Sequence, residues 1–162
     1  MLKSGRIEYP KMFVDISKDL ALSRWLIDKE VRNSSSEYKR DNKERELEIE
    51  TKGILGELIA RYHLETEGKE YEFAQLIAEK PMKEPDIVMG KAKIDVKASN
   101  NTHSLMVNEN AHLKGKGKID YYWFIVLLED GVADWYLYSY KQVNDWIVKE
   151  MTYTNAYVKQ IE

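Results

Sequence analysis

"EPDIVMGKAKIDVKAS", Glu84 to Ser99, is the stretch on which the reading of this chain turns. It predicts two short strands joined at Gly90, each carrying an aspartate, a residue that strands avoid. With Gly90-Lys91 as a two-residue turn of type II′, pairing runs outward from Met89 with Ala92, through Val88 with Lys93, to Ile87 with Ile94. Asp86 then falls opposite Asp95. Strand side chains alternate, so Ile87, Met89, Ala92, Ile94, Val96 and Ala98 form an apolar face. The other face holds Asp86, Val88, Lys93, Asp95 and Lys97. Opposed Cβ atoms lie only ~5 Å apart, and two carboxylates that close are driven to share a proton or a cation. A hard divalent ion binds such carboxylates together with waters. Lys97, diagonal to Asp86, is placed to orient or help deprotonate a water acidified by that ion, an arrangement suited to metal-assisted hydrolysis. The plainer alternative is a solvated face on which Lys93 and Lys97 neutralise the aspartates. A three-residue loop would put the two aspartates on opposite faces.

Upstream, a long helix is predicted over Lys43 to Leu64, with Leu47, Ile54, Leu55, Leu58 and Tyr62 at helical spacing and Gly68 beyond its end. Within it, Gly53, Gly56 and Ala60 make a strip of small residues. A glycine inside a helix costs about 1 kcal/mol relative to alanine, so the strip asks for a reason such as close packing on a sheet. Glu57 lies beside it, and an i,i+4 pair with Arg61 is the bland account of that glutamate. An earlier helix is expected from Ser17, as N-cap, to about Val31. "RNSSSEYKRDNK", Arg32 to Lys43, reads as a linker, and "YEFAQLIAEKP" is ambiguous up to Pro81.

Downstream, a strand is expected at Ser104 to Val107, then a brief helix "NENAHLKG" capped by Asn108 and stopped by Gly115. "YYWFIVLL" is a strand buried on both faces, "EDG" a turn and "VADWYLY" the returning strand. "SYKQ" makes a capping box of Ser139 and Gln142, opening a helix to about Lys149. Tyr153 to Ile161 reads as an edge strand. The order predicts a mixed α/β sheet with helices packed on it.

The length of 162 residues predicts one domain, 1–162, with a core of its own. With 43% hydrophobic and 33% charged residues the chain is a globular, not a disordered, sequence. The absence of cysteine excludes a disulfide framework, a cysteine-ligated metal and a cysteine nucleophile, and fits a cytoplasmic location. The longest apolar run, Tyr121 to Leu128, is too short to span a bilayer, and the N-terminus lacks the apolar stretch of a signal peptide, so no membrane association is expected. A net charge of −3 argues against a uniformly basic surface. The most basic part comprises Lys91, Lys93, Lys97, Lys114, Lys116 and Lys118. "HLKGKGKID" is expected to be a flexible loop, with Lys93, Lys114, Lys116 and Lys118 following a phosphate backbone; an ordinary solvated turn is the simpler alternative. His103 and His112, with no partner spacing, read as surface or structural. Trp135, Tyr136 and Tyr138 alternate as packing residues.

Taken together, "GILGE" with Glu57, Pro85-Asp86, and Asp95-Val96-Lys97 resemble the motif set of the PD-(D/E)XK nuclease superfamily, over roughly Lys43 to Tyr138. The resemblance implies a restriction-endonuclease-like fold: a mixed central β-sheet flanked by helices, with an αβββαβ core. That core would occupy 43–150, behind an N-terminal helical extension, 1–42. It implies Mg²⁺, with Mn²⁺ able to replace it, on Glu57, Asp86, Asp95 and the Val96 carbonyl. Lys97 would position the nucleophile, making Glu57, Asp86, Asp95 and Lys97 the catalytic set of an endonuclease that hydrolyses DNA by a metal-activated water. Homodimers are common in the family. Many members carry a glutamine near the helix after the third strand, where this chain has Asn108, Asn110 and His112. The small size resembles resolvase or repair members more than modular restriction enzymes. The competing reading is a non-catalytic nucleic-acid-binding or structural protein on the same fold. A nucleotide hydrolase would need a glycine-rich phosphate loop at a helix start, and none is visible.

Overall fold

The hairpin forms in the expected register. Strand β3 (Ile87–Met89) runs antiparallel to β4 (Ala92–Ser99), with Ile87 on Ile94, Val88 on Lys93 and Met89 on Ala92. Gly90 takes a φ of 60° while Lys91 keeps a negative one, the pattern of a type II′ turn, whose first corner excludes a Cβ. The computed structural model describes residues 1–32, 43–74, 76 and 85–161. The Arg32–Lys43 linker therefore falls almost wholly outside the described residues, as does most of "AQLIAEKP".

Around the hairpin stand β1 (Lys3–Glu8), α1 (Met12–Arg32), α2 (Lys43–Thr66), β2 (Glu72–Phe73), β5 (Ser104–Asn108) and α3 (Glu109–Lys114). There follow β6 (Tyr121–Glu129), β7 (Val132–Ser139), α4 (Tyr140–Asn144), β8 (Ile147–Glu150) and β9 (Asn155–Gln160). Six strands form a central sheet in the order β1-β7-β6-β4-β3-β2, mixed because β4 and β6 are parallel. A second sheet has the order β5-β9-β8. Strand β6 is the hydrophobic spine of the fold. Its Trp123 and Ile125 join Leu55, Ile59 and Leu64 of α2 in one core. Its Tyr122, Phe124 and Val126 join Leu105, Val107, Val143 and Trp146 in another. The central sheet is thus covered by α2 on one face and by α4 and the small sheet on the other, and a strand buried on both faces reads as a continuous apolar run.

Helix α2 presses on the sheet through Gly56. A Cβ there would fall 2.5 Å from the Cβ of Ala98, so only glycine permits this approach. Gly53 faces open space, and the packing reason belongs to Gly56 alone. The helix runs to Thr66, two residues past the expected Leu64, and is stopped by Gly68, φ 65°. The Gly68 N–H donates to the Glu65 carbonyl at 3.1 Å and the Lys69 N–H to that of Leu64 at 3.0 Å, a Schellman motif.

Several expectations are corrected. Residues 3–8 add an unforeseen edge strand, β1, paired with β7. Helix α1 begins at Met12, and Ser17 is not its cap: the side chain is buried mid-helix, its Oγ donating to the Phe13 carbonyl at 2.7 Å, the back-bond open to serine in a helix. The capping box of Ser139 and Gln142 is present, but α4 stops at Asn144 and Asp145 caps it. The β-branched pair Ile147-Val148 then extends into β8 against β9. Strand β9 lies in the middle of its sheet, not at an edge, between β8 and β5, the strand expected at Ser104 to Val107. Among the described residues no helix is long and apolar enough to cross a membrane.

Candidate functional site

Pairing between β3 and β4 ends at Ile87 and Ile94, while β4 continues to Ser99. In an antiparallel ladder a residue's N–H and C=O leave the strand on the same side, and alternate residues face the partner. Val96, two beyond Ile94, therefore presents both groups to the space that β3 has left. Asp86 fills part of it: its Oδ2 accepts the Val96 N–H at 2.8 Å, and its own carbonyl accepts the Ala74 N–H at 3.2 Å. Pro85, which has no N–H to offer a ladder, precedes it. Asp86 thus leaves the pairing that would set it squarely opposite Asp95.

Gly56 brings Glu57 down onto this gap. The Glu57 and Asp86 carboxyls hydrogen-bond to each other. Burial, and next the charge of Asp86, push Glu57 up to about 8. Burial, and next the charge of Asp95, also raise Asp86, opposed by the Val96 N–H, by the Glu57 hydrogen bond and by Lys97. Both carboxyls are thus held above their ordinary range, and the pair keeps a proton between them. The proton expected between Asp86 and Asp95 is held between Asp86 and Glu57.

Asp95 makes a different contact. Lys97 Nζ stands 2.7 Å from its Oδ2, yet that buried oxygen receives no directed hydrogen bond; the pair is a charge contact whose angle is poor. Asp95 lies in register with Tyr122 on β6, and after burial its charge is the largest cause raising the Tyr122 hydroxyl. So Glu57, Asp86, Asp95 and Lys97 come together as one electrostatic unit, with the Val96 peptide at its centre. Two arginines complete it, and neither was singled out from the sequence as a site residue. Arg24 of α1 donates from Nε to the Leu76 carbonyl at 2.9 Å and from Nη1 to Glu50 at 3.0 Å. Arg61 donates from Nη2 to the Ala74 carbonyl at 2.6 Å and lies over the Phe73 ring at 4.0 Å. Its Nε is buried without a partner, and burial lowers its pKa. Both cations oppose the rise at Glu57. The i,i+4 spacing of Arg61 hinted at its place; nothing local marked Arg24.

The lysines lie at the other end of β4. Lys93 is exposed; its backbone N–H donates to Asp120 Oδ2 at 2.9 Å and its carbonyl accepts the Asp120 N–H at 2.8 Å. Lys114, Lys116 and Lys118 are exposed on the segment so pinned. That segment contains a hydrogen-bonded turn: the Lys118 and Ile119 N–H groups donate to the Gly115 carbonyl at 2.8 and 3.0 Å, and Gly117 takes a φ of 76°. Lys93 precedes Asp95 by two residues, about 7 Å along a strand. Asn108 serves as the N-cap of α3, accepting from the Ala111 N–H. His112 is fully buried between Tyr122 and Asn144, at 2.8 and 2.6 Å, and stacks on Tyr140. It is a structural residue.

The donor set suits a hard divalent ion in type: carboxylate oxygens and a strand carbonyl. Asp95 Oδ2 lacks a directed hydrogen bond although Lys97 Nζ stands 2.7 Å away, and burial with the charge of Asp86 holds the proton on Glu57. Even so, among the described residues no three acidic or histidine side chains are gathered into a ready metal cluster. Glu57 must first lose its proton and Asp95 turn from Lys97. No family model, curated protein or solved structure matches the chain.

Proposed function

We propose that the chain is a metal-dependent DNA endonuclease of the PD-(D/E)XK type. The observation that carries this reading is the coupling of Glu57, Asp86, Asp95 and Lys97 at the gap between β3 and β4. The element order lends support: α2, then the β2-β3-β4 meander, then α3 and a β6 parallel to β4 follow the αβββαβ plan, with β5 inserted before α3. Asp86, Asp95, the Val96 carbonyl and Glu57, once ionised, would hold Mg²⁺ or Mn²⁺. Such an ion supplies Lewis-acid stabilisation of phosphoryl charge and lowers the pKa of water.

The chain's own groups do the rest. The Val96 N–H holds the Asp86 carboxylate at the gap through Oδ2. Lys97, partly exposed beside Asp95, can donate to an attacking water or a phosphate oxygen. Lys93, Lys114, Lys116 and Lys118 supply cations for the backbone of the bound strand. The test is cleavage of supercoiled, linear, single-stranded and four-way-junction DNA with Mg²⁺, Mn²⁺ or EDTA, beside Asp95→Ala and Lys97→Ala. Metal-dependent cutting that falls at least ~100-fold in both variants is expected, the scale on which such groups act. Full activity in Asp95→Ala would refute the assignment. No cutting by the folded wild type would favour a non-catalytic binding protein.

A further inference from the structure

Asp86 leaves its ladder on one side only. Pairing with β4 stops at Ile87, but on the other side β2 keeps the register. Phe73 faces Ile87, and the next residue, Ala74, donates its N–H to the Asp86 carbonyl at 3.2 Å. The backbone of Asp86 therefore leans on the residues that end β2. That strand is two residues long, lies at the edge of the sheet and has both residues exposed. A strand so short, with no buried side chain, has little apolar burial of its own to hold it in place.

Two arginines hold it instead. Arg61 of α2 donates from Nη2 to the Ala74 carbonyl at 2.6 Å, and its guanidinium covers the Phe73 ring at 4.0 Å. Arg24 of α1 donates to the Leu76 carbonyl from Nε at 2.9 Å and again from Nη2. Arg61 stands one helical turn beyond Glu57, and residues at that spacing share a face. One face of α2 thus reaches Asp86 twice: Glu57 meets its carboxyl, and Arg61 grips the residue whose N–H bonds its carbonyl. The placement is unfavourable for Arg61 itself. Burial lowers its pKa, and its Nε is buried without a hydrogen-bond partner. Losing water from a donor in this way costs stability, and native structures carry few such groups.

We propose that Arg61 is a positioning residue for Asp86, acting through Ala74, with Arg24 anchoring the same segment two residues further on. The charge of Asp95 pushes against Asp86. A fixed backbone keeps Asp86 Oδ2 at 2.8 Å from the Val96 N–H against that repulsion. Arg61 need touch neither a substrate nor an ion to do this. The chain of contacts from Arg61 through Ala74 and Asp86 to Val96 stands whatever reaction the protein performs. Its use in holding a divalent ion rests on the endonuclease reading.

The experiment is hydrogen exchange at the Val96 amide, read by NMR on the whole chain in EDTA. The wild type is compared with Arg61→Gln, Ala74→Pro and the double variant, and Asp86→Ala marks the fully released limit. Proline at 74 keeps Arg61 and its charge but removes the N–H that bonds Asp86. Exchange at Val96 should quicken roughly tenfold in each single variant, the scale of one lost hydrogen bond. The double variant should go no further, since both changes break one chain of contacts. The amides of Trp123 and Ile125 in β6, inside the sheet, should keep their rates; an arginine that merely stabilised the fold would quicken them with Val96. Titration of the same proteins with Mn²⁺ should show binding weakened roughly tenfold in both single variants. Unchanged exchange at Val96, exchange that quickens throughout β6, or additive effects in the double variant would overturn the proposal. A wild type that binds no Mn²⁺ would refute the metal reading, and the Val96 amide would still decide this one.

Discussion

Replacing Glu57 by glutamine isolates the proton on which the carboxylate site rests. In the folded, metal-free protein Glu57 keeps its proton to about pH 8, whereas a free glutamate releases it near 4.5. The carboxyl's folded pKa is raised, so between those values the unfolded chain binds fewer protons than the folded one. Stability therefore falls as pH rises through this window, by about 1.4 kcal/mol per pH unit for one proton, and levels off above pH 8. A domain of this size shifts its melting temperature by roughly 2–4 °C per kcal/mol. The wild type in EDTA should lose several degrees between pH 5 and pH 8 on account of Glu57 alone. Glutamine keeps the shape, can still donate to Asp86 and carries no proton to lose. The Glu57→Gln protein should lack this component of the slope, its advantage over the wild type growing from near zero at pH 5 to several degrees at pH 8.

Thermal melts followed by circular dichroism at pH 5, 6, 7 and 8 read the effect of the Glu57–Asp86 pair, because every titrating group outside that pair is common to both proteins. Parallel profiles would refute the assignment of the proton to Glu57 and with it the charge balance argued for the site. A linked result concerns the ion. Binding that displaces this proton should tighten about tenfold per pH unit up to about pH 8, since ligands must be deprotonated to bind.

Gly56→Ala should destabilise the protein by about 1–3 kcal/mol in urea unfolding, as overpacking does, because the new Cβ would meet Ala98 at 2.5 Å; adding Ala98→Gly should recover most of the loss. For the basic turn, Lys116→Ala and Lys118→Ala should each lower the salt dependence of DNA binding by about one unit of log K against log salt if they contact phosphates. An unchanged slope would return the turn to ordinary solvated surface.

What the sequence made legible was local. The register of the β3–β4 hairpin follows from a glycine at the first turn position and from period-2 alternation, both contained in sixteen residues. The approach of Glu57 was signalled by a helix glycine that had no other use. The pairings of β1 with β7 and of β8 with β9 join segments with no local mark of their partners, and the short polar-apolar runs at residues 3–8 and 147–150 carry weak strand signals. Arg24 reaches the site only because α1 packs on α2. The identity of the proton partner failed for a more instructive reason. Alternation assigns faces only while a ladder persists, and at Asp86 it ends: the side chain, not the backbone, accepts the Val96 N–H. That departure frees Asp86 to meet Glu57 and turns the Val96 carbonyl towards the same gap. Had β3 continued in register, the Val96 N–H would have gone to the Pro85 carbonyl and Asp86 would have been held opposite Asp95. The break in the ladder that defeats the sequence rule is the feature that brings a helix carboxyl and two strand aspartates into one charged unit.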